Sequence, residues 1–185
     1  MALKATIFKA TLAVADMERH HYASYALTLA RHPSETDQRM MVRMLAFALH
    51  ADAALAFGRG LSSEDEPDIA LRDDTGAILL WIDVGLPDEK LLRRAAGRAR
   101  DVVVYAYGGR AVDLWWERNS GVLARLSNLT VRAVAPETVQ ALGALAARSM
   151  QLQCAIQEGH IWFSDNDTTV AVELRELFAP MRNTP

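Results

Sequence analysis

The chain has few of the residues and segments that mark disulfide-stapled, zinc-binding or membrane proteins. Cys154 is the single cysteine among 185 residues, which excludes an internal disulfide framework and a multi-cysteine zinc site. Its sequence context predicts a buried structural thiol. No apolar run approaches the length that crosses a bilayer, and the N-terminal residues lack a signal-peptide core and cleavage site. These absences favour a cytoplasmic protein with no membrane partner.

The chain also lacks an excess of positive charge. Its formal net charge is −3, whereas proteins that bind polyanions generically are usually basic. A local basic patch would still allow nucleic acid as a partner. With 51% hydrophobic and 23% charged residues, the composition is that of a globular protein with a sizeable core. There are no repeats or linkers, and we predict one α/β domain over residues 1–185.

The first third of the chain predicts a long hairpin followed by a helix. Polar and apolar residues alternate over residues 2–16 and 22–30, which indicates two antiparallel strands. Ser34 follows a proline and is a candidate helix cap. The helix is expected to run to about Phe57, before two glycines, with an apolar face made of Met40, Met41, Met44, Leu45, Phe47 and Ala48.

The same helix carries charged residues at helical spacing on another face. Glu35, Arg39 and Arg43 fall at positions i, i+4 and i+8, where oppositely charged side chains can pair along a helix. We interpret them first as a solvated ion-pair stripe.

A second hairpin places an aspartate inside an apolar strand. The predicted strands are residues 64–71 and 77–85, around a turn at 73–76. Asp83 lies in Leu-Leu-Trp-Ile-Asp-Val, where an unpartnered carboxylate is costly to bury. If a four-residue loop closes the hairpin, Asp68 lies opposite Trp81. Asp68 and Asp83 are then diagonal neighbours on one face, roughly 7–8 Å apart.

Two carboxylates at this spacing either share a proton or hold a cation. Oxygen ligands suit Mg²⁺ or Mn²⁺, which need only one or two protein carboxylates and take water and substrate oxygens for the rest. Such an ion activates water and stabilises charge on a phosphoryl group. A one-residue slip in register would turn the two side chains to opposite faces of the sheet.

The remainder predicts alternating helices and strands. A basic helix with a proline at its first position runs to about Arg100, and the buried strand after it is expected to lie parallel to the strand of Asp83. Trp115 and Trp116 belong to a short element over residues 111–119. The other expected elements are a strand at 128–134, a helix at 136–150, strands at 152–157, 160–163 and 168–174, and a loose terminus at 179–185.

Three stretches resemble the bacterial YaeQ family: Arg31 to Thr36 (RHPSET), Asp65 to Asp68 (DEPD) and Leu80 to Glu89 (LWIDVGLPDE). The order of a Pro-Asp pair, an acid ending an apolar strand, a helix and a buried strand also resembles the core of PD-(D/E)XK nucleases. The resemblance extends over nearly the whole chain. It implies a mixed, curved β-sheet with flanking helices around a restriction-endonuclease-like core.

The resemblance also implies residue roles. Asp68 matches the first acid of the nuclease motif, Asp83 the second, and Glu35 the additional acid beside the metal. All three would then be catalytic residues and ligands of Mg²⁺ or Mn²⁺. The lysine expected two residues after the second acid is Gly85 here, and Lys90 in the next helix is the candidate replacement.

Beyond Lys90, the basic helix carries Arg94 and Arg98 one and two turns on. They are candidate contacts for flanking phosphates, the alternative being an ordinary solvated helix face. The resulting hypothesis is a metal-dependent nuclease or phosphodiesterase with a variant site. The alternative is a non-catalytic nucleic-acid-binding, protein-binding or regulatory protein that retains a nuclease-like fold.

Overall fold

The computed structural model describes residues 4–58 and 65–180. The second of the two glycines after the predicted first helix (Gly60), the first residue of the predicted strand 64–71 (Glu64) and most of the predicted loose terminus (residues 181–185) lie outside these ranges. The elements in chain order are β1 Thr6–Asp16, β2 His21–Arg31, α1 Asp37–Leu49, β3 Leu55–Phe57, β4 Ile69–Arg72, β5 Ile78–Val84, α2 Glu89–Arg98, β6 Ala99–Ala106, α3 Arg110–Leu123, β7 Leu129–Val134, α4 Pro136–Ala144, β8 Ser149–Gln157, β9 His160–Ser164, β10 Thr169–Val172 and β11 Leu174–Phe178.

The strands form two mixed sheets, where the sequence predicted one. The first sheet has the order β10-β9-β8-β1-β2. Its β1–β2 hairpin confirms the predicted antiparallel pair, in register from Thr6 opposite Arg31 to Asp16 opposite His21. The helix predicted to reach Met150 ends at Ala144 instead, because the following segment pairs with β1 in parallel as β8.

The second sheet has the order β11-β7-β6-β5-β4-β3 and positions the second hairpin. Strand β6 lies parallel to β5, which confirms the predicted crossover through α2, and β7 joins β6 in parallel. The strand predicted at 168–174 ends at Val172 as β10, and a separate strand, β11, begins at Leu174 and pairs with β7. Proline is not the first residue of α2, because Asp88 occupies the N-cap and accepts a hydrogen bond from the Leu91 N–H at 2.8 Å.

Helix α1 packs against the inward residues of both sheets and is covered on every side after its first turn. Its core cluster contains the inward residues of both sheets and part of α4, whereas α2 and α3 pack with the other face of the second sheet. All residues from Met40 to Ala48 are buried, as expected for a helix that is apolar nearly all round. The solvated stripe was therefore wrong for Arg43, which is 0% exposed. Within the described residues, no helix is both long and apolar enough to span a bilayer.

Both ends of α1 differ from the prediction. Thr36, rather than Ser34, is the cap, and its Oγ1 accepts the Arg39 N–H at 3.1 Å. The helix ends at Leu49, well before Phe57. The Asp52 side chain accepts the Ala54 N–H at 2.8 Å, a local turn that competes with helix, and the chain then forms β3 against β4.

Candidate active site

The hairpin of β4 and β5 brings Asp68 level with Asp83. Ala70, rather than Asp68, lies opposite Trp81, and Ile69 lies opposite Ile82. Two one-residue shifts cause the difference from the predicted register: Arg72 pairs with Ile78, and a bulge separates that pair from the next. Because a total shift of two residues keeps the period-two alternation, the two acids still meet.

The carboxyl groups of Asp68 and Asp83 each accept a hydrogen bond from a backbone N–H at or next to the other acid. The Asp68 N–H donates to Asp83 Oδ1 at 3.3 Å, and the Val84 N–H donates to Asp68 Oδ2 at 2.8 Å. The indole N–H of Trp81 donates to Asp83 Oδ2 at 2.9 Å. Asp68 and Asp83 are only 7% and 6% exposed. The end of the hairpin thus holds two buried carboxyl groups in fixed orientations.

Arg39 joins this hairpin to the start of α1. Its Nη2 donates to both carboxylate oxygens of Asp68 at 2.8 Å and to the Val84 carbonyl at 3.3 Å. Its Nη1 donates to Glu35 Oε1 at 2.8 Å. Burial lowers the pKa of Arg39, but Asp68 and Glu35 outweigh that effect and leave it raised. Its side chain is 13% exposed, more than that of Glu35 or Asp68.

Glu35 is held from the other side by Arg43. The Nε and Nη2 of Arg43 donate to Glu35 Oε1 and Oε2 at 2.9 and 2.8 Å, and Nη2 also donates to the Ala30 carbonyl at 3.2 Å. Both residues are buried. A fork of this kind fixes both partners geometrically. Glu35 is thereby an anchor for two arginines.

We refer to Glu35, Arg39, Arg43, Asp68 and Asp83 as the acid–arginine cluster. Three carboxyl groups face two guanidinium groups in it, so full ionisation would leave one negative charge in excess. Burial, and next the charge of Asp68, raise the pKa of Asp83 to about 7, against the lowering effects of the Trp81 and Asp68 N–H groups. The cluster therefore has a place for either one proton or an added cation.

Of the three acids, Asp83 keeps the most capacity to bind a cation. A carboxylate oxygen accepts about two bonds, and each oxygen of Asp83 accepts only one, from the Asp68 N–H and the Trp81 N–H. Glu35 and Asp68 each have one oxygen that already accepts from two groups and one that accepts from a single arginine. Among the described residues, no group of three or more His, Cys, Asp or Glu side chains is arranged to bind a metal. A two-carboxylate Mg²⁺ or Mn²⁺ site completed by water and substrate is the arrangement compatible with these contacts.

The basic residues of α2 lie apart from the two acids. Lys90 is exposed and makes no hydrogen bond or ion pair within the described ranges. Arg94 forms an ion pair with Asp65, and Arg98 donates to the Asp65 carbonyl at 3.1 Å. The Arg98 guanidinium also lies over the Trp81 ring, 5.4 Å from its centre. Arg94 and Arg98 thus lie beside the hairpin, and their charged groups contact Asp65 and Trp81, with no contact to Asp68 or Asp83.

Sequence reasoning assigned no site role to Arg39, Arg43 or Trp81. The spacing that links the two arginines to Glu35 was visible, but it was assigned to a solvated face. The signal that α1 is buried was the apolar run around them, Met40 to Val42 and Met44 to Ala48. A helix with so little polar surface is typical of a protein interior, where an arginine needs a carboxylate partner.

The family model described as YaeQ protein matches residues 1–174. Among curated proteins, "Uncharacterized protein YaeQ" of Salmonella typhi is 47% identical over 174 residues, which is 94% of this chain and 96% of that protein. The protein of the same description in Escherichia coli (strain K12) is 46% identical over the same shares of the two chains. These matches extend over both the hairpin and α1.

Two solved structures are similar over almost their full length. The crystal structure of YaeQ protein from Xanthomonas axonopodis pv. citri has a TM-score of 0.91 at 46% identity and covers 95% of this chain and 99% of that one. The crystal structure of YaeQ protein from Pseudomonas syringae has a TM-score of 0.90 at 34% identity, covering 95% and 97%. The arrangement of both sheets around α1 is thus a shared fold.

Proposed function

We propose, for a chain that belongs to the YaeQ family, that Asp68 and Asp83 hold Mg²⁺ or Mn²⁺ and that the site hydrolyses phosphodiester bonds of nucleic acid. The observation that carries the proposal is the charge balance of the acid–arginine cluster. A purely structural network has no need for a third buried carboxyl group whose pKa is raised to about 7. Buried carboxylates in excess of their cationic partners are typical of functional sites.

The order of elements around the site supports a variant of the PD-(D/E)XK nuclease core. A helix carrying the Glu35-bound arginines precedes the β4–β5 hairpin, and α2 then leads to the parallel strand β6. Asp68 stands just before β4 and Asp83 near the end of β5. These are the positions of the first and second acids in that motif, as the sequence resemblance implies.

Each residue has a distinct part in the proposed reaction. A bound divalent ion would supply Lewis acidity to the phosphate and lower the pKa of a water molecule. Asp68 and Asp83 would hold that ion, and the Trp81 N–H keeps the Asp83 carboxyl group in one orientation. Arg94 and Arg98, on the exposed side of α2, would bind flanking phosphates in exchange for their contacts with Asp65.

The test combines metal binding with cleavage. Mn²⁺ is titrated calorimetrically into the wild type and Asp83→Asn, and both are incubated with Mn²⁺ and labelled single-stranded, duplex and structured DNA and RNA. We expect the wild type to bind Mn²⁺ and cleave at least one substrate. Asp83→Asn should weaken Mn²⁺ binding by more than ~10-fold. That is the smallest loss seen when a residue that only supports a metal ligand is removed.

Asp88→Asn is the matched control, since Asp88 caps α2 a few residues beyond Asp83 and asparagine caps equally well. It should leave metal affinity and cleavage unchanged. A wild type that binds no Mn²⁺ would contradict the metal site. Binding without cleavage of any substrate would contradict the hydrolase.

The second candidate is a non-catalytic binding or regulatory protein. It is favoured by one specific observation: Arg39 already places a positive charge on Asp68 through two hydrogen bonds. In that case the cluster holds the hairpin against α1 and the fold serves to bind nucleic acid or protein. Mn²⁺-independent binding of the same nucleic acids, unchanged in Asp83→Asn, would favour this candidate.

A further inference from the structure

Position 85 of this chain is unsuited to carry the positive charge that a nuclease site needs. Gly85 directly follows β5, and its φ is +111°, a backbone conformation that side-chain-bearing residues rarely adopt. Its N–H donates to the Tyr105 carbonyl at 3.0 Å, which holds this conformation in place. The positive charge must therefore come from another element.

Four basic residues of α1 and α2 can be compared by their contacts. Lys90 makes none within the described ranges, Arg94 is paired with Asp65, and Arg98 donates to the Asp65 carbonyl and lies over the Trp81 ring. Arg39 contacts Asp68 and the carbonyl of Val84, the residue immediately before Gly85. Among the described basic side chains, it is the one that reaches both the first acid and the end of β5.

We propose that Arg39 is the phosphate-contacting cation of this site, in place of the lysine missing at position 85, and that Glu35 and Arg43 are its positioning residues. The inference rests on the phosphodiesterase proposed above. It deepens that proposal by assigning the group that meets the negative charge of the substrate.

The surroundings of Arg39 suit this role. Its guanidinium is anchored by Glu35 and Asp68, and no described residue accepts a hydrogen bond from its Nε. Arg39 keeps 13% of its side chain exposed, whereas the Arg43 side chain keeps 1%. Among the described residues, Arg31 Nε is the one buried side-chain nitrogen or oxygen without a partner, so the unpartnered Nε of Arg39 is accessible to solvent. Arg39 can thus donate its Nε–H to a phosphate oxygen, while Arg43 fixes Glu35 from the interior. A guanidinium is also always charged.

In the hydrolysis the oxygen of water bonds to phosphorus, and the bond from phosphorus to the leaving oxygen breaks. One proton of the water ends on the leaving oxygen, and nothing is oxidised or reduced. Negative charge grows on the phosphoryl oxygens and the leaving oxygen before that proton arrives. Fixed donors aimed at such charge stabilise the transition state more than the ground state.

The experiment compares Arg39→Gln, Arg39→Lys and Lys90→Gln in the full chain. Mn²⁺ is titrated first, inorganic phosphate is then titrated into the Mn²⁺-loaded protein, and kcat and KM are measured on the cleaved nucleic acid. We expect Arg39→Gln to weaken phosphate binding ~10-fold and to lower kcat ~100-fold, with a smaller change in KM. Arg39→Lys should restore part of both. Lys90→Gln, at the position that the sequence resemblance suggests for this cation, should lose less than Arg39→Gln. Arg93→Gln, which removes an exposed charge paired with Glu89, is the control that should match the wild type.

Mn²⁺ affinity separates this role from a merely structural one. If Arg39 only holds Asp68 in place, Arg39→Gln should weaken Mn²⁺ binding, and this would contradict the proposal. If it is the phosphate cation, removing its charge should leave Mn²⁺ affinity equal or higher, because less positive charge remains beside the ion. Thermal unfolding checks the fold. Should Arg39→Gln unfold, Arg39→Lys carries the phosphate and kcat comparison, because it removes the guanidinium and keeps the charge. A partial loss of both is then expected, and values equal to the wild type would contradict the proposal.

The outcomes also separate this inference from the proposed function. A wild type without Mn²⁺ binding contradicts both. A wild type that binds Mn²⁺ and cleaves, with Arg39→Gln equal to it in phosphate affinity and kcat, contradicts the role of Arg39 alone. Losses in Lys90→Gln instead of Arg39→Gln would transfer the role to Lys90.

Discussion

Each end of α1 carries a group of polar side chains that is largely buried, and the two groups are built differently. At the N-terminal end Arg39 and Arg43 belong to the acid–arginine cluster, in which three carboxyl groups face two guanidinium groups. At the C-terminal end the His50 imidazole pairs with the Tyr105 hydroxyl, Nε2 to Oη 2.8 Å. Burial lowers the pKa of His50 to about 3 and raises that of Tyr105 to about 12, so both are neutral near pH 7.

The difference teaches which end is structural. A neutral buried pair needs only its hydrogen bonds to be satisfied, and His50 and Tyr105 achieve this with each other and with the more distant Arg132 at 3.5 Å. Buried charges are costly even when paired, and the acid–arginine cluster keeps one carboxyl group more than its arginines neutralise. The His50–Tyr105 pair thus has the features of a packing contact, whereas the charge balance of the cluster supports the ligand-binding role proposed above.

The largest effect on stability is expected from removing the charge of Glu35, which pairs with both arginines of the acid–arginine cluster. Glu35→Gln leaves Arg43 fully buried without its carboxylate, which should lower the free energy of unfolding by about 4–5 kcal/mol. Urea unfolding measures it. Asp37→Asn is the control, because Asp37 pairs with Arg31 at a side-chain exposure of 46% and should cost no more than about 1 kcal/mol. Equal losses in the two variants would show that burial of the cluster adds nothing.

A second test uses the pKa of Asp83. Its folded value, about 7, lies above its ordinary value of 3.8, so the unfolded chain releases this proton first as the pH rises. Stability should fall between about pH 4 and about pH 7 and then level off, by roughly 4 kcal/mol from this group. In Asp83→Asn this contribution should be absent. Urea unfolding of both proteins across the range measures the difference, and a pH-independent difference would contradict an excess negative charge.

Mg²⁺ sharpens the same comparison. If a cation can replace the proton, Mg²⁺ should stabilise the wild type above about pH 7, where Asp83 is ionised, because a ligand that binds only the folded state raises its stability. Asp83→Asn should gain little. Stabilisation of both proteins alike would point to binding elsewhere.

Sequence reasoning could identify the acids of the cluster but not its arginines. The apolar strand around Asp83 and the period of two were sufficient to pair it with Asp68. The bulge in the β4–β5 hairpin was not predictable. The two acids still lie on one face of the sheet only because the two one-residue shifts add up to an even number. The burial of Arg43 depends on the first sheet covering α1. That contact joins segments distant in sequence, which local patterns do not encode.

The same limit explains the errors at the ends of helices. Residues 51–57 are apolar enough to continue α1, and residues 145–150 to continue α4. Both segments end in strands, β3 and β8, because partners elsewhere in the chain accept their backbone hydrogen bonds. Tertiary pairing overrides local propensity of this modest size. The confirmed elements are those with a strong period of their own, the β1–β2 hairpin above all.

A fourth test lowers the pH to protonate His50, at the C-terminal end of α1. His50 has an ordinary pKa of 6.5 and a folded pKa of about 3, so the unfolded chain takes up this proton first as the pH falls. Stability should be intact above about pH 6.5 and be lost towards about pH 3, by about 3 kcal/mol once the partial exposure of the residue is allowed for. His50→Gln should lack this loss. Its direction is opposite to that of Asp83, and a wild type and variant with the same acid profile would contradict a buried neutral imidazole.

The smallest effect is expected at the hydroxyl of the neutral pair. Tyr105→Phe keeps the ring in the core and removes only the oxygen, which leaves His50 Nε2 without its partner. An unpaired buried nitrogen costs about 1–2 kcal/mol, and the loss should be the same with and without Mg²⁺. Tyr22→Phe, on a side chain that is 62% exposed, should change stability by less than about 0.5 kcal/mol. Because no charge is stranded, Tyr105→Phe must cost less than Glu35→Gln, and a loss as large would remove the distinction between the two ends of α1.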